Sequence, residues 1–439
     1  MAAPTDLAQA ARDSGTRFIL ALFVDLRGKP CAKLVPIEAV KQLAEEGVGF
    51  AGYAVGAMGQ EPKDPDLIAI PDPASFTPIP FIKEGLAIVH CDPHVEGKPW
   101  PYAPRNILKS MLQRAADQDL DAYVGAEVEY FLLKRDADGK LTTADPADTA
   151  DQPCYDARGV TRMFDHLAGI SEAMNALGWG NYANDHEDGN GQFEQNFNYA
   201  DALTTADRVI TLRYLLTMLA EQRGMIATFM AKPFGDHTGS GLHFHLSLQS
   251  KGEPVFPDGD DARGLGLSPL AYSFLGGILE HACALQAVVA PTVNSYKRTG
   301  AVSTTSGASW APRSATYGGN DRTHYIRVPD DQRIELRGPD GSANPYLAIA
   351  AALGAGLDGI KRNLDPGEPG ASTTERLQPL PLTLLHAIDA LEADDVIMGA
   401  LDGAGEGVGA YFANIKREEF FSYHREVTSW ELDRYLQAF

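Results

Sequence analysis

The chain has 439 residues, too many for one ordinary core, and its 44% hydrophobic and 22% charged content describes a globular protein of two domains. A formal net charge of -22 argues against partners such as nucleic acid or an anionic membrane surface. The N-terminus shows no secretory apolar region, and the run Phe18–Val24 is far too short to span a bilayer. Four cysteines, Cys31, Cys91, Cys154 and Cys283, lack CxxC spacing and are expected as reduced, buried thiols in a cytoplasmic protein.

Residues 16–35 read as a hairpin turning at Arg27–Gly28–Lys29, followed by a short helix over Pro36–Glu46. Gly47–Gly59, glycine-rich and apolar, reads as a loop lining a site, without the strand–GxxxxGK–helix context of a phosphate loop. Ala87–Cys91 is a strand, and the prolines of Pro99–Pro104 mark a domain boundary near residue 100. Pro104–Gln118 is an amphipathic helix that feeds Gly125–Leu133, a β-branched and aromatic run expected as a strand. Arg135–Gln152 reads as an exposed loop, Thr161–Leu177 and Ala202–Arg223 as helices, and Met225–Pro233 and Gly239–Leu248 as strands. Ser268–Val289 and Asn344–Ile360 are expected helices, as is most of the chain from Leu382 onward. Strands and helices in this order suggest an α+β catalytic domain on a curved sheet.

Glu127 and Glu129 are two apart in the strand GAEVEYFLL, so both carboxylates leave one face. At an effective dielectric near 20, carboxylates about 4–5 Å apart repel by roughly 3–4 kcal/mol. Hard divalent cations are the usual remedy. Glu187 and Glu194 flank a glycine-rich bend, His243 and His245 share a strand face, and Glu335 lies in RIELRGPD. Arg322, Arg327, Arg333 and Arg337 follow in strands and loops. Singly these are ordinary core or surface residues; together they fit a site for several metals and anions, with carboxylates for Mg²⁺ or Mn²⁺ and arginines for phosphate and carboxylate.

Six ordered motifs carry a resemblance that runs from about residue 15 to the end: AEVEYFL, HEDGNGQFE, TFMAKPFGDHTGSGLHFHLSL, PTVNSYKR, RIELRGPDGSANPYLAIAA and SWELDRYL. In wording and spacing the chain resembles glutamine synthetase. The resemblance implies a small N-terminal β-grasp domain, residues 1–100, and a C-terminal catalytic domain, 101–439. It implies double hexameric rings, a dodecamer, with each active site between adjacent subunits. Carried over by position, Glu129, Glu187 and Glu194 would hold one metal, and Glu127, His243 and Glu335 a second, with two or three Mg²⁺ or Mn²⁺ per site. Tyr199, His245, Ser247, Arg327 and Arg333 would face ATP, and Arg322 the transferring phosphoryl group. Gly239, Arg298 and Arg337 would hold glutamate. A loop over Asn363–Leu382 contains no tyrosine, so control by tyrosine adenylylation is not expected.

The pattern breaks at the amine site. Ammonia-using members carry an aspartate in F-D-G-S-S and a glutamate in a G-Y-E-A-P flap. Here the first stretch is FAGYA, with Ala51 and Ala54, and the second SWAP, with Trp310 in place of the glutamate. Thr238, where an asparagine is usual, is a further departure. An indole and two alanines suit a carbon-bearing amine better than ammonium, and burying one methyl is worth only about 0.8 kcal/mol, a preference. The expectation is therefore a glutamate–amine ligase acting through a γ-glutamyl phosphate, with methylamine favoured, like the γ-glutamylmethylamide-forming members of the family. Ammonia-using glutamine synthetase, a γ-glutamyl-polyamine or -anilide ligase, and an inactive sensor are the alternatives. Glu61 and Asp64 are candidate bases for the amine proton.

Overall fold

The computed structural model describes residues 6–300, 304–370 and 379–439. Part of the loop over Asn363–Leu382, on which the adenylylation expectation rests, lies outside them.

The strand Asp121–Arg135 organises the larger sheet because its composition allows burial on both faces. Ala122, Val124, Ala126, Val128, Tyr130 and Leu132 alternate into one hydrophobic core, which leaves the odd-numbered residues, Glu127 and Glu129 among them, for the opposite face. This sheet has eleven strands among the described residues. Its main path runs Asn181–His186, Gln192–Phe197, Asp121–Arg135, Leu242–Ser250, Arg333–Leu336, Ile326–Asp330 and Tyr317–Gly318. All neighbours are antiparallel except the last pair.

A smaller sheet forms from the N-terminal segment in the order Pro30–Pro36, Phe18–Val24, Leu86–Val95, Leu67–Pro71, Val48–Phe50. Alternation along Phe18–Val24 sends Ile19, Ala21 and Phe23 into a local core with the helix Leu7–Asp13, while Leu22 and Val24 join the large core. The fold class is α+β, as the sequence implies.

Helices cover the core face of the large sheet. Pro345–Arg362 crosses Pro269–Glu280 where Gly277 meets Gly359. A Cβ on Gly277 would collide with the Ala355 carbonyl oxygen, so only glycine permits this approach.

Several elements differ from the sequence reading. Gly47–Gly59 holds the strand Val48–Phe50 and the helix Gly52–Val55, because Gly49 and Phe50 find partners on Leu67–Pro71 that lie remote in sequence. Met225–Pro233 is a strand only over Ile226–Thr228, the part that pairs with Phe131, Leu132 and Leu133. Thr161–Leu177 divides into Ala157–Arg162 and Phe164–Ala176, and the loop Arg135–Gln152 includes the short strand Leu141–Thr143. Of the cysteines only Cys91 is buried; Cys31, Cys154 and Cys283 are half-buried. No single helix among the described residues is long and apolar enough to cross a membrane.

Ser268–Val289 is two helices, Pro269–Glu280 and Ala282–Val289, bent by 74°. His281 sits at the break, with Nδ1 2.7 Å from Asp394 Oδ2 and Nε2 3.0 Å from Asp358 Oδ2. A doubly protonated ring satisfies both carboxylates. Burial disfavours its charge, but the hydrogen bonds to Asp394 and Asp358 outweigh burial and raise its pKa above the ordinary value. Because the folded-state value is raised, this stabilisation is complete below the unfolded value of about 6.5 and is lost as pH rises through the folded one. His281→Gln should therefore lower the melting temperature most near pH 6, with the gap to the parent narrowing in alkali. A gap independent of pH would show that the ring acts by packing alone.

Candidate active site

Strand register assembles the acidic site, since directly opposed residues in an antiparallel pair share a face. Glu127 is opposite His243, Glu129 opposite Glu194, and Glu194 opposite Asp185. His245 is opposite Glu335, which is opposite Arg327. Glu187 follows the strand Asn181–His186, its N–H donating to the Gln192 carbonyl at 2.9 Å.

Oxygens of Glu129, Glu187 and Glu194 lie within 4.8 Å of one another. Glu127 enters two further groups, one with Glu194 and His243 and one with His245 and Glu335. His243 Nδ1 lies 3.0 Å from Glu127 Oε2 and 3.6 Å from Glu335 Oε1. His245 Nε2 lies 2.8 Å from Glu127 Oε1, so it belongs to the acidic cluster as well as to the neighbouring cavity.

The cluster has two electrostatic regimes. Burial and the charges of neighbouring carboxylates raise Glu187 and Glu194 well above the ordinary range. Burial would raise Glu127 too, but hydrogen bonds with His243 and His245 outweigh it and hold the group well below that range. Burial acts on Glu335 in the same sense, and the charges of His243 and Arg337 outweigh it and lower the group. Arg337 Nη1 donates to Glu335 Oε1 at 2.6 Å, and Arg327 Nη1 bonds the other oxygen. In the half of the cluster built on Glu187 and Glu194 ionisation is thus disfavoured, a cost that a divalent cation would offset.

A cavity of about 520 Å³ adjoins Glu127. Tyr199, His245, Ser247, Arg322, Arg327 and Arg333 all line it. The sequence reading missed Tyr182, Gln249 and Gln332, which line the same space. A larger cavity, about 640 Å³, lies elsewhere around Asp258, Arg263 and Asp365 and brings none of these residues together.

Beside the acidic cluster, Arg298 is 3% exposed and donates to the carbonyls of Gly338 and Arg337. Gly239 packs against it so closely that a Cβ there would meet Arg298 Cγ at 2.8 Å. Arg337 Nε is buried without a hydrogen-bond partner among the described residues. Trp310 is 47% exposed, and its Nε1 donates to Asp188 Oδ2 at 2.8 Å. Ala51 caps the helix Gly52–Val55, which contains Ala54; both are exposed and neither lines the cavity beside Glu127. Glu61 and Asp64 bond within their own turn, Asp64 Oδ2 accepting from the Glu61 N–H at 2.7 Å.

Three functional neighbours were missed. Asp185 is pushed up to about 6 by burial and by the charges of Glu129 and Glu127. Gln192 is fully buried and donates to Glu129 Oε2 at 3.0 Å, while Asp188 collects hydrogen bonds from Thr238, Ser306 and Trp310. The signal was the run of acids at 185, 187 and 188, of which only the middle one entered the sequence argument.

The family profile described as "Glutamine synthetase, catalytic domain" matches residues 101–435. A glutamine synthetase from Rhizobium leguminosarum bv. phaseoli is 42% identical over 438 residues, covering 98% of this chain and 99% of the relative. A glutamate–methylamine ligase from Methyloversatilis universalis is 40% identical over 447 residues, covering 99% and 100%. Among solved structures, a GmaS/ADP complex matches with a TM-score of 0.92 and 49% identity, covering 99% of this chain and 100% of that one. With the acidic sheet face, the buried arginines and a match over nearly its whole length, the chain belongs to the glutamine synthetase family.

Proposed function

We propose that the protein is an ATP-dependent ligase that joins an amine, with methylamine favoured, to the γ-carboxylate of L-glutamate. The observation that carries the reading is the trio of buried Glu129 and Glu194 with half-buried Glu187, beside a cavity of nucleotide size lined by arginines. Glu129, Glu187 and Glu194 would hold one Mg²⁺ or Mn²⁺ and Glu127, His243 and Glu335 another, neutralising phosphate charge. Tyr199, His245, Ser247, Arg327 and Arg333 bind ATP in the cavity, and Arg322 at its edge steadies the transferring phosphoryl group. Arg298, Arg337 and the Gly239 loop hold glutamate, for which the unpartnered Arg337 Nε is suited. The γ-phosphoryl group passes to a glutamate γ-oxygen and ADP leaves. The amine nitrogen then attacks the acyl carbon, phosphate departs with the bonding electrons, and the amine gives up a proton.

The same reading divides the chain into residues 1–100 and a catalytic unit 101–439, supported by the two cores and the family match from residue 101. It places Trp310 of one subunit against Ala51 and Ala54 of the next in a dodecamer. Their exposure in the single chain supports this, as do exposed Trp430, Leu436 and Phe439 near the C-terminus.

Phosphate release with glutamate and, in parallel, ammonia, methylamine, ethylamine or putrescine tests the proposal, with sedimentation of the same preparation. Methylamine should exceed ammonia in kcat/KM by about tenfold or more. Higher efficiency with ammonia would favour glutamine formation, the activity named for the Rhizobium relative. Preference for putrescine would point to a polyamine ligase. Release with no amine would sink the ligase reading, and a fully active monomer the shared site.

A further inference from the structure

Asp188 is 6% exposed and follows Glu187 directly. Its Oδ2 accepts from Thr238 Oγ1 at 3.0 Å, from Trp310 Nε1 at 2.8 Å and from Ser306 Oγ. These donors come from two other segments. Thr238 lies in the loop leading to the strand Leu242–Ser250, and Ser306 and Trp310 lie in a surface flap, residues 304–311. The flap is tied down twice more, by the Thr305 N–H to the Asp236 carbonyl at 2.8 Å and by Arg337 Nη2 to the Trp310 carbonyl at 3.3 Å. Trp310 has a φ of 55°, a left-handed backbone that a bulky residue adopts only where its surroundings hold it. Its indole is half-exposed, so packing within the chain does not fix the ring. The charge-assisted bond to Asp188 does.

We propose that Asp188 is a positioning residue for amine selection: its carboxylate latches the flap to the acidic loop and sets the Trp310 indole at the amine entrance. The proposal rests on the ligase reading above. Asp188 also neighbours Glu187, whose Oε2 accepts its N–H at 3.2 Å, so a purely structural role would act through the acidic cluster instead.

Two readouts separate these roles in Asp188→Ala, Asp188→Asn, Trp310→Phe and the Asp188→Ala/Trp310→Phe double variant. The first is hydrogen exchange of peptides over 304–311, which needs no turnover. Asp188→Ala should speed it about tenfold or more, and Asp188→Asn, which keeps an acceptor oxygen, much less. The second is the methylamine-to-ammonia ratio of kcat/KM. It should fall about tenfold in Asp188→Ala and in Trp310→Phe, through KM for the amine and not for ATP, with no further fall in the double variant. Unchanged flap exchange overturns the latch. Faster exchange with an unchanged amine ratio, or equal losses with every amine, overturns the selection role. A parent without amine-dependent turnover overturns the ligase reading and the selection role with it, while the exchange result still decides the latch.

Discussion

Glu129→Gln is expected to lower glutamate- and amine-dependent phosphate release by about a thousandfold or more while leaving the protein folded. The substitution is isosteric, so the amide oxygen can still accept from the Gly241 N–H and Gln192 Nε2, now 2.7 Å and 3.0 Å from Glu129 Oε2. What disappears is one charge among three carboxylates whose oxygens lie within 4.8 Å of one another. Each such pair repels by roughly 3–4 kcal/mol at an effective dielectric near 20, so the metal-free variant should melt no lower than the metal-free parent. Added Mn²⁺ should raise the melting temperature of the parent and raise that of the variant much less, because ligand-linked stabilisation follows affinity. Retention of most activity, or a response to Mn²⁺ equal to the parent's, would remove Glu129 from any metal site.

Arg105→Met should destabilise the fold by about 3–5 kcal/mol, measured by urea unfolding. Arg105 is 4% exposed, at the start of the helix Pro104–Ala116. Its Nε and Nη2 grip Asp207 at 3.0 and 2.9 Å, Nη1 reaches Asp92 at 2.7 Å, and Nη2 also reaches Asp72 at 2.8 Å. Asp72 and Asp92 belong to the N-terminal segment and Asp207 to the helix Ala202–Glu221, so one guanidinium joins the two parts of the chain. Methionine fills the volume but leaves three carboxylates facing one another, with Lys109 still paired to Asp72 and Asp92. Arg105→Lys keeps the charge without the planar fork and should fall between the two. A loss below about 1 kcal/mol in the methionine variant would mean that the carboxylates are compensated elsewhere.

The α+β class, the six motifs and the residue types of the acidic site are all legible in the amino-acid sequence. Period-two alternation puts Glu127 and Glu129 on one face of any strand, whatever the rest of the chain does. The central helices were equally legible, because 3.6-residue periodicity and a proline at the first turn are local properties. Which carboxylates meet depends on the folding of the whole sheet. Register sets Glu194 against Glu129 and His243 against Glu127, through backbone pairing between segments more than sixty residues apart. It also drew His245 into the acidic cluster and split the helix at His281, where two carboxylates from later helices hold the ring. The role of Trp310 shows the limit most clearly. Its identity was visible in SWAP, but the partner of its N–H, Asp188, is 122 residues away, and a single hydrogen bond between side chains leaves no periodic trace in sequence.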